Sequence, residues 1–369
     1  MLLIKAKTYY IKTFGCQTNK VDSEKISFFL DQVGLKKSQT INKADLVIIN
    51  SCAVRQSAED RVIGLAYNLN KKEKQPIVIV SGCLLYHKNE YLKEKFVDRV
   101  NYFVKSSSWP EFIFQHWAVK VNCSFSEKKD VGPLYVSIID GCSNFCSYCV
   151  VPYARGREKS LDPEKIICQI KQVAKNNGRQ KVFLLGQNVN SYGKDLKKVQ
   201  LEVLDCDDFT TPFARLIGTL NNLKEVEEIS FLTSNPHDLD NDIIKSLKFN
   251  KVSRQLHLPV QSGDEEILQK MNRKYTAIQY IKLVEKIKKE VPDILISTDI
   301  IVGFPGETKQ QFLKTVDLCQ KVDFYKAYIN KYSPRPGTVA EKLVDDVSWA
   351  EKKRRWQILE KLINSRQVF

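Results

Sequence analysis

Apolar and polar positions along the first hundred residues follow a pattern that repeats three times: a short β-rich apolar run, a small residue, a cysteine, then a helical stretch. The runs are Tyr9–Phe14 before Gly15-Cys16, Leu46–Asn50 before Ser51-Cys52, and Ile77–Val80 before Ser81-Gly82-Cys83. After Cys16, Asp22 is a candidate N-cap, and Ile26, Phe29, Leu30 and Val33 fall on one helical face ending at Gly34. The pattern predicts βα units with right-handed crossovers, hence an open parallel sheet whose strands share one carboxyl edge. Three cysteines just past three strand ends can meet at that edge although they are far apart in sequence.

A polar stretch over 123–133, ending in Gly132-Pro133, breaks the apolar pattern and reads as a linker. A second β/α series follows. Strands are predicted over 134–139, 181–185, 228–232, 254–260, 294–302 and 325–330, and helices over 163–175 behind an Asp162 cap, 238–247, 276–289 and 310–321. Six such units predict a partial (β/α)6 barrel, since the length after the linker runs short of an eight-fold barrel. From Ser348 a basic amphipathic helix is predicted, with Trp349, Trp356, Leu359 and Ile363 on one side. The expected class is α/β: an N-terminal open parallel α/β sheet domain over 1–122, the linker 123–133, a partial barrel over 134–345 and a C-terminal helix over 346–369.

Composition narrows the class. At 43% hydrophobic, 10% aromatic and 27% charged residues, the chain has ample core-forming material, which excludes disordered and collagen-like classes. No apolar run approaches the ~18 residues of a membrane span, and lysines interrupt the N-terminal apolar residues, so a cytoplasmic protein with no membrane partner is expected. Lys and Arg total 58 against 43 Asp and Glu, a net charge of +15. That excess favours a polyanionic partner, nucleic acid first, and more than half of it falls in the first 130 residues.

Ten cysteines in a chain of this kind read as ligands or redox groups before disulfides. Cys142, Cys146 and Cys149 form a CxxxCxxC triplet at the carboxyl end of a predicted barrel strand, where such barrels place their chemistry. Three thiolates can hold three irons of a [4Fe–4S] cube and leave the fourth open, or form part of a zinc site completed by a His or a distant Cys. An open iron can take a bidentate amino-carboxylate such as the methionyl end of S-adenosyl-L-methionine, whose reductive cleavage gives a 5′-deoxyadenosyl radical. Cys16, Cys52 and Cys83 either converge at their sheet edge or pack as small residues under helices. Cys123, Cys168, Cys206 and Cys319 follow no ligand spacing and read as packed thiols.

Through Cys142-x3-Cys146-x2-Cys149 the chain resembles the radical-SAM enzymes. Gly141–Glu158 (GCSNFCSYCVVPYARGRE), GQNVN from Gly186, LTSNP from Leu232, LHLPVQSG from Leu256, IVGFPGE from Ile301 and SPRPGT from Ser333 make it similar to the methylthiotransferases of that superfamily. Within them it looks most like the branch that adds a methylthio group to C2 of isopentenylated adenosine-37, beside the tRNA anticodon. The resemblance spans nearly the whole chain. It implies a second [4Fe–4S] cluster on Cys16, Cys52 and Cys83, two molecules of S-adenosyl-L-methionine per turnover, the tRNA anticodon stem-loop as substrate, and an electron-donor protein such as flavodoxin or ferredoxin. Such chemistry suits the substrate, because the C2–H of adenine is neither acidic nor beside a leaving group.

Weaker candidates lie at other strand ends. Gln187, Ser234, Gln261, Ser262, Gly303, Gly306 and Glu307 are candidates for holding the cofactor. Arg155, Arg157 and Arg335 are candidates for tRNA phosphates or the cofactor carboxylate, and Lys352, Lys353, Arg354 and Arg355 for tRNA phosphates. Family members usually continue into a small TRAM β-barrel, whereas this sequence stops at Phe369; no C-terminal TRAM barrel is expected, and tRNA affinity is expected to lean on the basic N-terminal domain and Lys352–Arg355. Rival readings are a sister methylthiotransferase acting on threonylcarbamoyl-adenosine or on a ribosomal-protein aspartate, and a noncatalytic iron–sulfur nucleic-acid-binding protein.

Overall fold

The computed structural model describes residues 3–53, 56–71, 75–121 and 132–367, so most of the expected linker and Cys123 lie outside the described residues. The chain divides into two compact units, one of Met1–Glu127 with Tyr153–Arg155, the other of Lys128–Pro152 with Gly156–Phe369.

The first unit runs β1 (Thr8–Phe14), α1 (Gln17–Gln32), β2 (Lys36–Lys37), β3 (Leu46–Ser51), α2 (Gln56–Asn70), β4 (Ile77–Gly82), α3 (Asn89–Phe96), β5 (Tyr102–Val104) and α4 (Trp109–Trp117). Its sheet is wholly parallel in the order β2-β1-β3-β4-β5. Every residue of β3 is buried, because helices cover both faces of this central strand. Ile26, Phe29 and Leu30 of α1 pack with Trp109, Phe112 and Ile113 of α4 in one apolar cluster. Val62, Ala66 and Leu69 of α2 pack with Leu92 and Phe96 of α3 in another. The three strands expected from the pattern are present, and the short β2 and β5 extend the sheet at its edges. One local expectation is corrected: α1 starts at Gln17 with Cys16 at the N-cap, so Asp22 lies inside the helix.

The second unit contains β6 (Leu134–Ser137), β7 (Ile139–Asp140), α5 (Val151–Arg155, whose last three residues group with the first unit), β8 (Lys159–Ser160), α6 (Pro163–Asn177), β9 (Gln180–Leu185), α7 (Lys198–Leu201), α8 (Pro212–Asn222), β10 (Val226–Phe231), α9 (Asn241–Ser246), β11 (Gln255–His257), α10 (Glu265–Lys270), α11 (Ala277–Glu290), β12 (Leu295–Val302), α12 (Lys309–Val322), β13 (Lys326–Lys331) and α13 (Trp349–Ile363). Strands β6, β9 and β10 form one parallel triplet and β11, β12 and β13 another. Hydrogen bonds from the Ile229 amide to the Lys251 carbonyl (2.7 Å) and from the Ser253 amide to the Ile229 carbonyl (2.8 Å) join the two. The result is six parallel strands in chain order, the expected partial barrel.

Where the strands differ from the sequence pattern, backbone chemistry accounts for it. The apolar run 254–260 yields only the three-residue β11, and Pro259 has no amide to continue the ladder. The run 134–139 splits, with Leu134–Ser137 pairing to β9 and Ile139–Asp140 turning to pair antiparallel with β8. The C-terminal helix is built into this unit rather than standing apart from it. Leu359 and Ile363 of α13 join the main core, and the Trp356 indole donates to the Ile329 carbonyl at 3.1 Å. Trp349, expected on the same apolar side, is 62% exposed.

Candidate metal centres

Strand register explains how three distant cysteines of the first unit meet. Phe14 and Gly82 both pair with Ser51, so the residues that follow β1, β3 and β4 emerge in one row at the carboxyl edge. Cys52 and Cys83 come directly after their strands, and the Cys52 amide still donates to the Phe14 carbonyl at 2.7 Å. Two glycines allow the approach. A Cβ on Gly15 would stand 2.9 Å from Cys52 Cβ, and Gly82 has φ +91° with Asn50 Oδ1 and the Ser51 carbonyl where a side chain would be. Cys52 and Cys83 are buried and Cys16 is exposed. Burial pushes the Cys83 thiol up to about 11, and negative charge on Cys52 and Cys16 would push it the same way, so the three sulfurs feel one another.

Buried polar groups fix this edge. The Asn50 amide donates to the Asn19 carbonyl at 2.8 Å and to Ser23 Oγ at 2.9 Å, and Ser23 Oγ also lies 2.8 Å from Thr13 Oγ1, tying α1 to the ends of β1 and β3. Arg155 completes the cluster: its Nε donates to Cys83 Sγ at 3.2 Å and its Nη2 pairs with Asp22 at 2.6 Å. That guanidinium pulls the Cys83 thiol down against its burial. Arg155 was a phosphate candidate from sequence; here its charge is directed at a thiol and a carboxylate.

In the second unit Cys142, Cys146 and Cys149 lie on one loop whose neck is the β7–β8 ribbon, with Asp140 opposite Lys159. Gly141 must be glycine, because it has φ +76° and a Cβ would meet the Arg157 carbonyl. The segment after α10 braces the loop. Asn272 Nδ2 donates to the carbonyls of Asn144 (3.2 Å) and Phe145 (2.9 Å), the Ser147 amide donates to the Met271 carbonyl (3.1 Å), and Ser147 Oγ donates to the Lys270 carbonyl (2.7 Å). These contacts hold Phe145 in its left-handed conformation, φ +47°. Arg273 follows directly and donates from Nη1 to Cys146 Sγ at 3.3 Å. Burial pushes the Cys149 thiol up to about 12, reinforced by Cys146 and Cys142. Sequence reasoning missed residues 270–273, which carry no ligand spacing and no apolar periodicity.

Each triad offers three thiols, the donor set by which cysteines ligate iron–sulfur clusters. Among the described residues no group of three or more His, Cys, Asp or Glu side chains is arranged to hold a metal ion as the side chains now stand. Neighbouring thiols add to burial in raising the Cys83, Cys142 and Cys149 thiols, a repulsion that a multiply charged cation would relieve. Of the cysteines outside the triads, Cys319 is buried as expected, Cys206 is half-buried against Gly218, and Cys168 is exposed rather than packed.

Comparisons with known proteins agree with this division. Residues 136–319 match the radical SAM superfamily, and residues 8–104 match the uncharacterized protein family UPF0004. The chain is 42% identical over 377 residues to the tRNA-2-methylthio-N(6)-dimethylallyladenosine synthase of Thermoanaerobacter sp. (strain X514), covering 96% of this chain and 78% of that relative. The chain belongs to this synthase family. Synthases of the same description from Caldicellulosiruptor saccharolyticus, 42% identical, and Clostridium botulinum (strain Langeland), 39% identical, match over 97% and 96% of this chain and 78% and 81% of theirs. Among solved structures, the cobalamin-dependent S-adenosylmethionine radical enzyme OxsB aligns over 96% of this chain and 56% of its own with TM-score 0.59 at 11% identity, a likeness of fold.

The remaining candidates of this synthase-family chain divide by how their polar atoms are used. Around Arg273 the ends of β9 and β10 interlock: the Asn235 amide donates to Asn188 Oδ1 (3.2 Å), and Asn190 Nδ2 donates to the Asn235 carbonyl (3.2 Å). Ser234 Oγ and Asn190 Oδ1 are buried here without a hydrogen-bond partner, the condition of a site that expects a polar ligand. Gln187 is half-buried at the same edge. Gln261 is buried with φ +71°, its amide bonded to the Asp299 carbonyl at 2.9 Å. By contrast, Ser262 Oγ faces Thr315 Oγ1 and the Asp264 amide. Glu307 accepts from the Gly303 amide and pairs with Arg355, both at 2.6 Å, so it clamps the Gly303–Gly306 turn from within.

The basic residues divide likewise. Lys352 is 3% exposed and paired with Asp345, and Arg355 is 4% exposed and paired with Glu307 and Glu351, which corrects the expectation that both meet phosphate. Arg335 is buried too. Lys353, Arg354 and Arg157 are exposed; Arg354 pairs with Glu351, and the Arg157 guanidinium lies 5.4 Å over the Phe145 ring.

Proposed function

We propose that this chain replaces the C2–H of isopentenylated adenosine-37 in tRNA with a methylthio group. The observation that carries the reading is the presence of two cysteine triads, one past the carboxyl ends of the parallel strands β1, β3 and β4 and one on the loop closed by the β7–β8 ribbon, with 42% identity to tRNA-2-methylthio-N(6)-dimethylallyladenosine synthases over 96% of the chain. In this reading Cys16, Cys52 and Cys83 hold one [4Fe–4S] cluster and Cys142, Cys146 and Cys149 another. Iron–sulfur centres with S-adenosyl-L-methionine supply a one-electron cleavage and a radical, which an unactivated aromatic C–H requires.

The chain's own residues bind and orient. Three cysteine ligands per triad leave one iron free of protein. Asn272, Met271 and Lys270 keep the Cys142–Cys149 loop in shape, and Gly15 and Gly82 let the first triad close up. Ser234 Oγ and Asn190 Oδ1 receive polar groups of the cofactor, with Gln187 and Gln261 at neighbouring strand ends. Fixed positions of this kind supply orientation rather than acid–base chemistry. The partners in this reading are the tRNA anticodon stem-loop and a low-potential electron donor of the flavodoxin or ferredoxin kind, in the cytoplasm. No helix among the described residues is long and apolar enough to cross a membrane.

The test is mass spectrometry of nucleosides after anaerobically reconstituted enzyme, S-adenosyl-L-methionine and dithionite are mixed with isopentenylated tRNA. The 2-methylthio derivative is expected, with none formed on tRNA lacking the isopentenyl group. Modification of threonylcarbamoyl-adenosine instead would overturn the substrate assignment.

A further inference from the structure

We propose that Arg273 is the counter-ion of the Cys142, Cys146 and Cys149 triad and sets how readily the group held there accepts an electron. The inference rests on reading that triad as a cluster site. Each nitrogen of the guanidinium is engaged: Nη1 with Cys146 Sγ (3.3 Å), Nη2 with Asn235 Oδ1 (3.1 Å) and the Pro259 carbonyl (3.3 Å), and Nε with Tyr275 Oη (2.9 Å). The Tyr275 ring lies 5.0 Å from the guanidinium carbon, and its hydroxyl is anchored at the Val260 carbonyl (2.9 Å).

The oxygen partners are all neutral. Among the described residues no carboxylate pairs with Arg273, whereas Arg155, Arg215, Arg254 and Arg354 each have one and Arg355 has two. A half-buried cation with no carboxylate partner is stabilised by a negative group within reach, and the one its guanidinium contacts is the Cys146 sulfur. Hydrogen bonds and positive charge at a cysteinyl sulfur favour the more negative, reduced form of a cluster and raise its potential. Arg273 is also next to Asn272, so one short segment both shapes the loop and delivers the charge. It is a positioning residue, acting through the sulfur ligand.

The test uses the chain carrying Cys16→Ala, Cys52→Ala and Cys83→Ala, so that one cluster remains, reconstituted anaerobically and titrated with dithionite under electron paramagnetic resonance. The parent is expected to load about four irons; a parent that loads none overturns the cluster reading and this inference with it. Arg273→Gln is expected to be at least tenfold harder to reduce, a midpoint about 59 mV more negative. Arg273→Lys keeps a charge without the planar fork and is expected to shift the same way by less. A loaded Arg273→Gln with the parent's midpoint overturns the proposal. If Arg273→Gln does not load, Arg273→Lys decides: a midpoint below the parent's supports the proposal, and one equal to or above it overturns the proposal.

Discussion

Glu307 and Arg355 show how a residue's burial redefines what its type suggests. From sequence, one was a cofactor candidate and the other a phosphate contact. In the structure their side chains are 1% and 5% exposed and pair at 2.6 Å. Burial pushes the Glu307 carboxyl above its ordinary value, while the Gly303 amide and the Arg355 guanidinium pull it back down. Breaking such a pair from one side deprives the other charge of its buried partner, leaving Arg355 with Glu351 as its remaining carboxylate. Glu307→Gln is therefore expected to destabilise the protein by about 3 kcal/mol, read as a lower urea midpoint at unchanged slope. Loss of cofactor binding at unchanged stability would instead restore the ligand role.

At the scale of elements, strands and their ends were legible in the sequence, while the braces between them were not. The three small-residue–cysteine junctions after apolar runs pointed to one sheet edge, and the register of β1, β3 and β4 puts them there. The barrel strands were legible for the same reason: period-two apolar runs are a local signal. The 270–273 segment carries no such signal, because its role lies in hydrogen bonds to a loop more than a hundred residues away. Arg155 was singled out for its charge, but its partners Asp22 and Cys83 depend on tertiary placement that spacing does not encode. Asn272→Ala removes two hydrogen bonds to the Cys142–Cys149 loop, about 1 kcal/mol each. Chelator challenge of reconstituted protein should then release iron faster from that site, with the Cys16, Cys52 and Cys83 site unchanged; equal release rates would mean the brace has no such role.

For the whole molecule, the +15 charge is what a tRNA-binding protein needs, but not all of it is available to tRNA. Of the five basic residues of α13, Lys352 and Arg355 are consumed inside the unit, leaving Lys353, Arg354 and Lys361 exposed. Lys353→Ala is expected to flatten the salt dependence of tRNA binding by about one phosphate contact, measured by filter binding between ~50 and ~200 mM salt. An unchanged slope would remove this helix from the tRNA-facing surface.

The account as a whole stands on two separate three-cysteine sites, and counting iron tests it most directly. Anaerobically reconstituted protein should bind about eight irons and eight sulfides, and Cys16→Ala/Cys52→Ala/Cys83→Ala about four of each while still cleaving S-adenosyl-L-methionine without forming methylthio product. About four irons in the unsubstituted protein, or one zinc in place of either cluster, would contradict it.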